Sequence, residues 1–518
     1  MLPKFLDFSL WQAFWTALTF LVLLAVAKFI IQPFRTLDIY SKLPGSKVTY
    51  KIGNKTVRTK SNVKEVIREP SKKYPYISST YYDQYLNYPD LRFTAENILH
   101  IPLVILTDHE LVGEFYKNHK YYQKYQIKTL FKRYLRHSLG GSDGETWKNF
   151  KKIISQAFQF ENLQRVIPII EDTIVEQFGN FKPHQTDVNL LQHLQILSGE
   201  ATARSFFGES LKDTTINGRS IILELADLYT RNSKLYHETL YQIFGDISMM
   251  WSSEFRKLKR ETIAFGEFSR GLVRRMIERI KKGETDNSDG RKGILQLLME
   301  SDHGEGIMGE REYLGNFINF FFAGTDTTSH FLQTLFYFVS QEPEVRKKLM
   351  EQIDANWDGK SRLTFDKIQK MEYLQAVVDE TFRMANPGQS SWPRITLADH
   401  YLKDVLIKKG TWVAGLFMKS NFNPRLYTDV NSFKPERWLR DSGSFERPQD
   451  PFAYTPFSAG PRVCMGQNFA VLEAKIITCY FMKNFDFELT SDPNFEMVFK
   501  HLVEPKTPLL FEIRRKKI

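Results

Sequence analysis

The residues best suited to do chemistry form one short run, Phe457-Ser458-Ala459-Gly460-Pro461-Arg462-Val463-Cys464-Met465-Gly466. A lone cysteine between glycines, just ahead of a helical stretch, suits a tight loop that presents its sulfur to a flat object. Backbone N–H groups of such a loop, with the N-terminus of the following helix, favour a thiolate. A thiolate is a soft, electron-rich ligand suited to iron. Arg462, two residues earlier, can pair with a carboxylate on the same object. The other cysteine, Cys479, lies in the apolar helical run IITCYFM and reads as core. With only these two cysteines, a secreted disulfide framework is excluded.

The pattern Phe457-x-x-Gly460-x-Arg462-x-Cys464-x-Gly466 resembles the haem-binding loop of the cytochrome P450 family. The resemblance implies that the Cys464 thiolate is the axial iron ligand of haem b, with Phe457, Gly460, Arg462 and Gly466 shaping the loop around the cofactor. Further motifs follow in the order the family requires. Ala323-Gly324-Thr325-Asp326-Thr327-Thr328 sits in the long apolar helical run NFINFFFAGTDTTSHFLQTLF. A threonine inside a helix can bond back to the carbonyl four residues earlier, which for Thr327 is Ala323. Gly324 leaves space beside the backbone for a small ligand, and a buried Asp-Thr pair needs hydrogen-bond partners. By resemblance, Thr327 is the oxygen-activating threonine and Asp326 its acidic neighbour in proton delivery.

Glu380 and Arg383 lie three apart in YLQAVVDETFRM, on one helix face. Glu-x-x-Arg recurs elsewhere in the chain, so it is position that singles this pair out. It lies between the threonine helix and Phe433-Lys434-Pro435-Glu436-Arg437-Trp438, where Trp438 takes the family's usual phenylalanine place. The resemblance implies a buried structural triad of Glu380, Arg383 and Arg437 that fixes the cysteine loop. Haem also carries two propionate carboxylates that need donors. By motif these are Arg462, Trp147 and Lys151 of Trp147-Lys148-Asn149-Phe150-Lys151, and Arg394 after Trp392-Pro393. Lysine at 151 replaces the family's arginine and loses bidentate pairing.

The elements that must position these groups are mainly helical. Apolar periodicity predicts helices near 145–160, 189–207, 219–245, 254–282, 310–341, 343–356, 371–385 and 467–484. Residues 47–60 alternate as strands do, and short β-like pieces and turns follow Pro387. The polar stretch 282–292 reads as a loop. The expected fold class is mostly α with small β-sheets: a single catalytic domain behind an N-terminal transmembrane helix, in the manner of a microsomal cytochrome P450. Its parts are an anchor at 1–32 with the span at about 8–27, a hinge at 33–46 punctuated by Pro33, Pro44 and Gly45, and a catalytic domain at 47–518.

The anchor is read from FSLWQAFWTALTFLVLLAVA, Phe8 to Ala27, which contains no charged residue. At about 1.5 Å per residue a helix of this length spans the hydrocarbon of a bilayer. No small-x-small cleavage site precedes Lys28. Lys28, Arg35, Lys42 and Lys47 follow the run while Lys4 precedes it, which leaves the body on the cytoplasmic side. There the sequon at Asn54 stays unmodified. The 518-residue chain is 42% hydrophobic and 25% charged, an ordinary globular composition that excludes a disordered or collagen-like protein. Its net charge of +11 admits nucleic acid, anionic lipid or an acidic protein as partner. Tethering to a membrane favours the last two over nucleic acid.

The resemblance implies a monooxygenase on the endoplasmic-reticulum membrane that inserts one oxygen atom of O2 into a lipophilic small molecule. Electrons would come from NADPH through the diflavin NADPH–cytochrome P450 reductase, with cytochrome b5 as a second donor. The alternatives are a haem-thiolate isomerase or dehydratase acting on hydroperoxides, whose family members commonly lack the threonine, and a membrane-tethered haem sensor or carrier.

Overall fold

The structure is a computed structural model that describes residues 4–52, 55–63, 88–98, 100–124, 129–179, 181–237, 241, 245–284, 292–301, 308–493, 495, 497–499 and 502–516. The uncharged run at the N-terminus has nothing to interrupt a helix. Helix α1 (Lys4–Val26) passes through a π-turn at Ala27–Ile31 into α2 (Gln32–Tyr40). The π-turn falls just before Pro33, whose missing N–H breaks the regular ladder. The chain stays helical to Tyr40 and turns at 41–45. Residues 11–28 are exposed along their whole length, whereas Leu37 and Tyr40 are fully buried. Among the described residues this is the one helix long and apolar enough to cross a membrane.

Contacts divide the chain into two compact units. The first comprises residues 1–67, 85–125 and 390–419. It is built on a seven-stranded sheet of β1 (Ser46–Ile52), β2 (Lys55–Ser61), β3 (Phe93–Ile98), β4 (Ile101–Leu106), β5 (Tyr122–Lys124), β6 (Arg394–Thr396) and β9 (Trp412–Gly415), in the order β2-β1-β3-β4-β9-β6-β5. Strands β7 (His400–Leu402) and β8 (Val405–Ile407) form a separate antiparallel pair. The pairs β1–β3 and β4–β9 are parallel and the other neighbours antiparallel. Alternation in β3 buries Phe93, Ala95 and Asn97 on one face. Helix α3 (His109–Lys117) is capped by Asp108, whose carboxylate accepts from the Glu110 N–H at 2.7 Å.

The second unit comprises 68–84, 126–389 and 420–518 and is mostly helical. The helices used below are α4 (Gly144–Ile154), α5 (Phe160–Phe178), α6 (Leu190–Phe207), α7 (Glu310–Gln341), α8 (Glu372–Ala385) and α9 (Gln467–Asn484). Further helices run over Ile221–His237, Ser253–Lys281 and Pro343–Asn356. Strands Phe485–Leu489 and His184–Asn189 flank Leu510–Arg515 in an antiparallel sheet. The chain is thus mostly α with small sheets. Helix α5 and α3 were not anticipated by periodicity, and α5 carries Pro168 in its interior. Residues 285–291 of the expected loop, six of the residues in 219–245 and Asn54 lie outside the described residues.

Helix α7, with 32 residues, runs buried through this unit. It crosses α6 at two small residues. A Cβ added at Gly324 would lie 2.3 Å from Thr202 Oγ1, and one at Gly199 would lie 3.1 Å from Thr325 Oγ1. This close helix approach requires glycine at 324 by itself.

Candidate functional site

The loop ahead of α9 is closed by its own backbone. The Cys464 N–H donates to the Phe457 carbonyl at 3.0 Å, Val463 to Gly460 at 3.1 Å and Ser458 to Thr455 at 3.0 Å. Ser458 and Gly460 take φ of 66° and 70°, so the chain reverses through two left-handed residues. The following single turn, Gly460–Arg462, hands over to Cys464 and then to α9, whose N-cap is Gly466. The Cys464 side is accessible, yet protein surrounds the sulfur on most sides. Burial pushes its thiol above the ordinary value, and the Gly466 backbone N–H only partly opposes this. Cys479 is fully buried on α9 beside Met371 Sδ at 3.6 Å, as core.

Aromatic contacts tie this loop to α7. Phe158 lies 5.8 Å from Phe320 of α7, and a Cβ at Gly466 would meet the Phe158 ring at 3.9 Å. On the other side Phe331 of α7 stacks on Phe382 of α8 at 4.0 Å, and Phe382 meets Phe457 at 4.8 Å. Midway along the largely buried α7, Ala323 is exposed and Phe322, Gly324 and Thr327 are half-buried. The Thr327 hydroxyl donates to the Ala323 carbonyl at 2.6 Å, the back-bond expected from sequence. Asp326 does not share this accessible strip. It is 1% exposed, accepts from Gln195 Nε2 of α6 at 2.9 Å and sits 3.4 Å from His330 Nδ1.

The cationic residues beside the loop are already engaged. Arg462 donates to the Ser142 carbonyl at 3.0 Å and to Asp143 Oδ1 at 2.5 Å, and lies over the Trp147 ring at 3.9 Å. Lys151 donates to the Pro461 carbonyl at 2.7 Å, with its ammonium 5.3 Å from the same ring. Helix α4 therefore brings Trp147 and Lys151 against the cysteine loop, with the indole between two cations. Arg394 belongs to the first unit, on β6, with its guanidinium 5.0 Å from the Phe115 ring.

The triad is present and larger than expected. Glu380 receives Arg383 through Nε and Nη2, both at 2.9 Å, and Arg437 Nε at 3.0 Å. It also accepts the Lys434 N–H at 2.8 Å and the Trp438 indole N–H at 3.0 Å. Arg437 reaches Glu446, a second carboxylate that balances the two guanidinium charges. Arg383 donates to the carbonyls of Asn421, Val430 and Ser432. Burial opposes a charge on Glu380, but Arg383 and Arg437 outweigh it and hold its carboxyl below the usual range. From the end of α8, the Asn386 amide donates to the Pro456 carbonyl at 2.7 Å, which pins the start of the cysteine loop.

The pattern that defines the family described as "Cytochrome P450" matches residues 92–513, through both units. The chain belongs to the cytochrome P450 monooxygenase family. It is 27% identical over 431 residues to Cytochrome P450 3A31 of Mesocricetus auratus, covering 80% of this chain and 82% of that one. It is 26% identical over 396 residues to Cytochrome P450 3A5 of Homo sapiens, with 73% and 76% covered. It is 26% identical over 404 residues to Cytochrome P450 4d1 of Drosophila melanogaster, with 74% and 78% covered.

Membership of the cytochrome P450 family implies a haem-thiolate centre, and the residues in place suit one. The soft sulfur of Cys464 is accessible although thickly surrounded by protein. An interior helix tied to its loop bares a small-residue strip at Ala323, Gly324 and Thr327. The indole N–H of Trp147 and the cations of Arg462 and Lys151 are hydrogen-bond donors, the chemistry that two carboxylates call for. Sequence reasoning did not find Glu446, Gln195, His330 or Glu504. Gln195 and Glu504 act through contacts to distant parts of the chain, and none of the four carries a local motif.

Proposed function

We propose that this cytochrome P450 is a haem-thiolate monooxygenase that inserts one atom of O2 into a lipophilic small molecule. Bound haem b would supply the oxygen chemistry, with Cys464 as the iron ligand. Phe457, Gly460 and Gly466 shape the loop. Arg462, Trp147, Lys151 and Arg394 are our candidates to hold the propionates, and Glu380, Arg383 and Arg437 keep the loop in place. The Thr327 hydroxyl gives its proton to the Ala323 carbonyl, so its lone pairs face the accessible strip as acceptors. With Asp326 it would govern proton delivery there. Gly324 contributes by letting α6 and α7 close up.

The observation that carries this reading is the Cys464 sulfur: accessible, turned out by a left-handed loop, and linked by ring contacts to the helix that bears Thr327. The basic excess of the chain suits an acidic flavoprotein donor. That donor is proposed to be NADPH–cytochrome P450 reductase, with cytochrome b5 beside it. Residues 1–32 are proposed as a single-pass anchor in the endoplasmic-reticulum membrane, 33–46 as the connection and 47–518 as the cytoplasmic catalytic domain.

The decisive experiment is spectroscopic. Full-length protein expressed with haem should show the red-shifted absorbance of the reduced CO complex, and Cys464→Ala should abolish it while Cys479→Ala leaves it. An unchanged spectrum in Cys464→Ala moves the ligand elsewhere. With reductase, NADPH and a lipophilic panel, the wild type should consume NADPH and yield oxygenated product; failure on both counts ends the monooxygenase reading.

A further inference from the structure

Behind the accessible strip of α7 lies a buried run of ionisable groups that the motifs do not include. His330, one helical turn beyond Asp326, is 4% exposed. Its Nδ1 lies 2.7 Å from the Asp326 backbone carbonyl and 3.4 Å from Asp326 Oδ1. Its Nε2 lies 3.1 Å from Glu504 Oε2, on the strand Val503–Pro505. Glu504 is itself 8% exposed. The described groups that face the ring are thus Asp326 from its own helix and Glu504 from that strand. Helix α6 contributes the neutral Gln195, which donates to Asp326.

The protonation pattern follows from donor and acceptor chemistry. A carbonyl only accepts, so Nδ1 keeps its hydrogen in every state. At Nε2 the partner is a carboxylate, and one proton lies between nitrogen and oxygen. While the ring holds it, an imidazolium stands between two carboxylates and Asp326 has a cation beside it. When the proton passes to Glu504, the N–H bond at Nε2 breaks and an O–H bond forms on Oε2. The ring is then neutral, and Asp326 has lost the charge that fixes it.

We propose that His330 is the positioning residue of Asp326: through the proton it shares with Glu504, it latches the carboxylate inside the protein, away from the strip that holds Thr327, and releases it when that proton leaves the ring. The proposal rests on the reading of Thr327 and Asp326 as the proton-delivery pair. Burial opposes a charge on His330, but Asp326 and Glu504 outweigh it and push the ring up to about 10. The latch is therefore closed at neutral pH.

Two measurements on the haem-loaded full-length chain test this. The first is thermal stability from pH 6 to pH 10 for wild type, His330→Gln, Glu504→Gln and the double variant. A ring whose protonation is raised in the fold stabilises fully below about 6.5, the value of a free histidine, and loses that contribution as pH rises towards about 10. The gap between wild type and His330→Gln should therefore be widest near neutrality and shrink towards pH 10. The coupling between His330 and Glu504 in the four-variant cycle should shrink with it. A gap and coupling that stay flat with pH overturn the latch.

The second measurement is peroxide released per NADPH consumed with microsomal reductase. His330→Gln and Asp326→Asn should both raise it several-fold, which a histidine that merely packs would not do. If Asp326→Asn raises it and His330→Gln does not, the latch is overturned. If neither Asp326→Asn nor Thr327→Ala changes it, the proton-delivery reading has failed and the latch falls with it. Should His330→Gln not retain haem, Glu504→Gln carries the same test, because it removes the carboxylate that takes the proton and leaves the ring.

Discussion

A hydroxyl whose proton is committed to a helix carbonyl can only accept from whatever meets it on the other side. Thr327 is in that position, half-buried on α7 with its proton on Ala323. Replacing it removes an acceptor and a back-bond without opening the core. Thr327→Ala should therefore keep its haem and its reduced-CO spectrum while diverting reducing equivalents from product to peroxide; full coupling in the variant refutes the role proposed for the hydroxyl. The threonine and the cysteine were legible in sequence because their chemistry is set within a few residues. The back-bond needs only the residue four before, and the cysteine turn only the glycines around it. Gly324 was legible as a close approach but not as to what approaches, since Thr202 belongs to another helix. Asp326 was legible as a buried acid in need of partners but not as to which partner meets it, because Gln195 belongs to another helix.

At the scale of elements, α8 and the segment after it act as one clamp on the cysteine loop. Glu380 is the hub, with two guanidinium groups, an indole N–H and a backbone N–H converging on one fully buried carboxylate. Glu380→Gln keeps the shape and removes the charge, leaving Arg383 and Arg437 with Glu446 alone. Breaking a buried charge cluster in this way should cost about 3–5 kcal/mol. The pH dependence has a definite sign. Because the carboxyl is held below its usual range in the fold, its contribution is complete above the unfolded value of 4.5 and is lost as pH falls through the folded value. The stability gap between wild type and Glu380→Gln, read as a thermal midpoint, should be level from pH 7 down to about 4.5 and close below it. The triad could be read from the family resemblance and from the pair's position along the chain, with Trp438 as an apparent departure. The structure shows what the tryptophan adds, a donor to Glu380 that phenylalanine lacks. Helix α5 could not be read, because Pro168 in its interior is a strong breaker signal. The α5 fold overrides that signal by burying Leu163, Val166, Ile167, Ile170 and Ile174 along the helix.

At the scale of the whole molecule, the N-terminal helix and the body differ in burial. Residues 11–28 are exposed apolar surface that water disfavours, while core packing begins at Pro33. Beyond it Leu37 and Tyr40 are fully buried, and the Tyr40 hydroxyl meets Thr411 at 3.4 Å and receives the Lys408 N–H at 3.2 Å. The boundary between the proposed anchor and the body therefore falls inside a continuous helix, and two truncations can locate it. Deleting 1–32 removes the exposed run and should move the protein from the membrane pellet into a salt-washed soluble fraction, with its Soret band and thermal midpoint retained. Deleting 1–40 also strips Leu37 and Tyr40 from the first unit. At about 1.5–3 kcal/mol for each large apolar side chain withdrawn from a core, that variant should unfold at a clearly lower temperature. Equal midpoints for the two truncations would mean that α2 is as dispensable as α1. A midpoint already lowered in the shorter deletion would mean that the apolar run packs on the body and does not serve as an anchor.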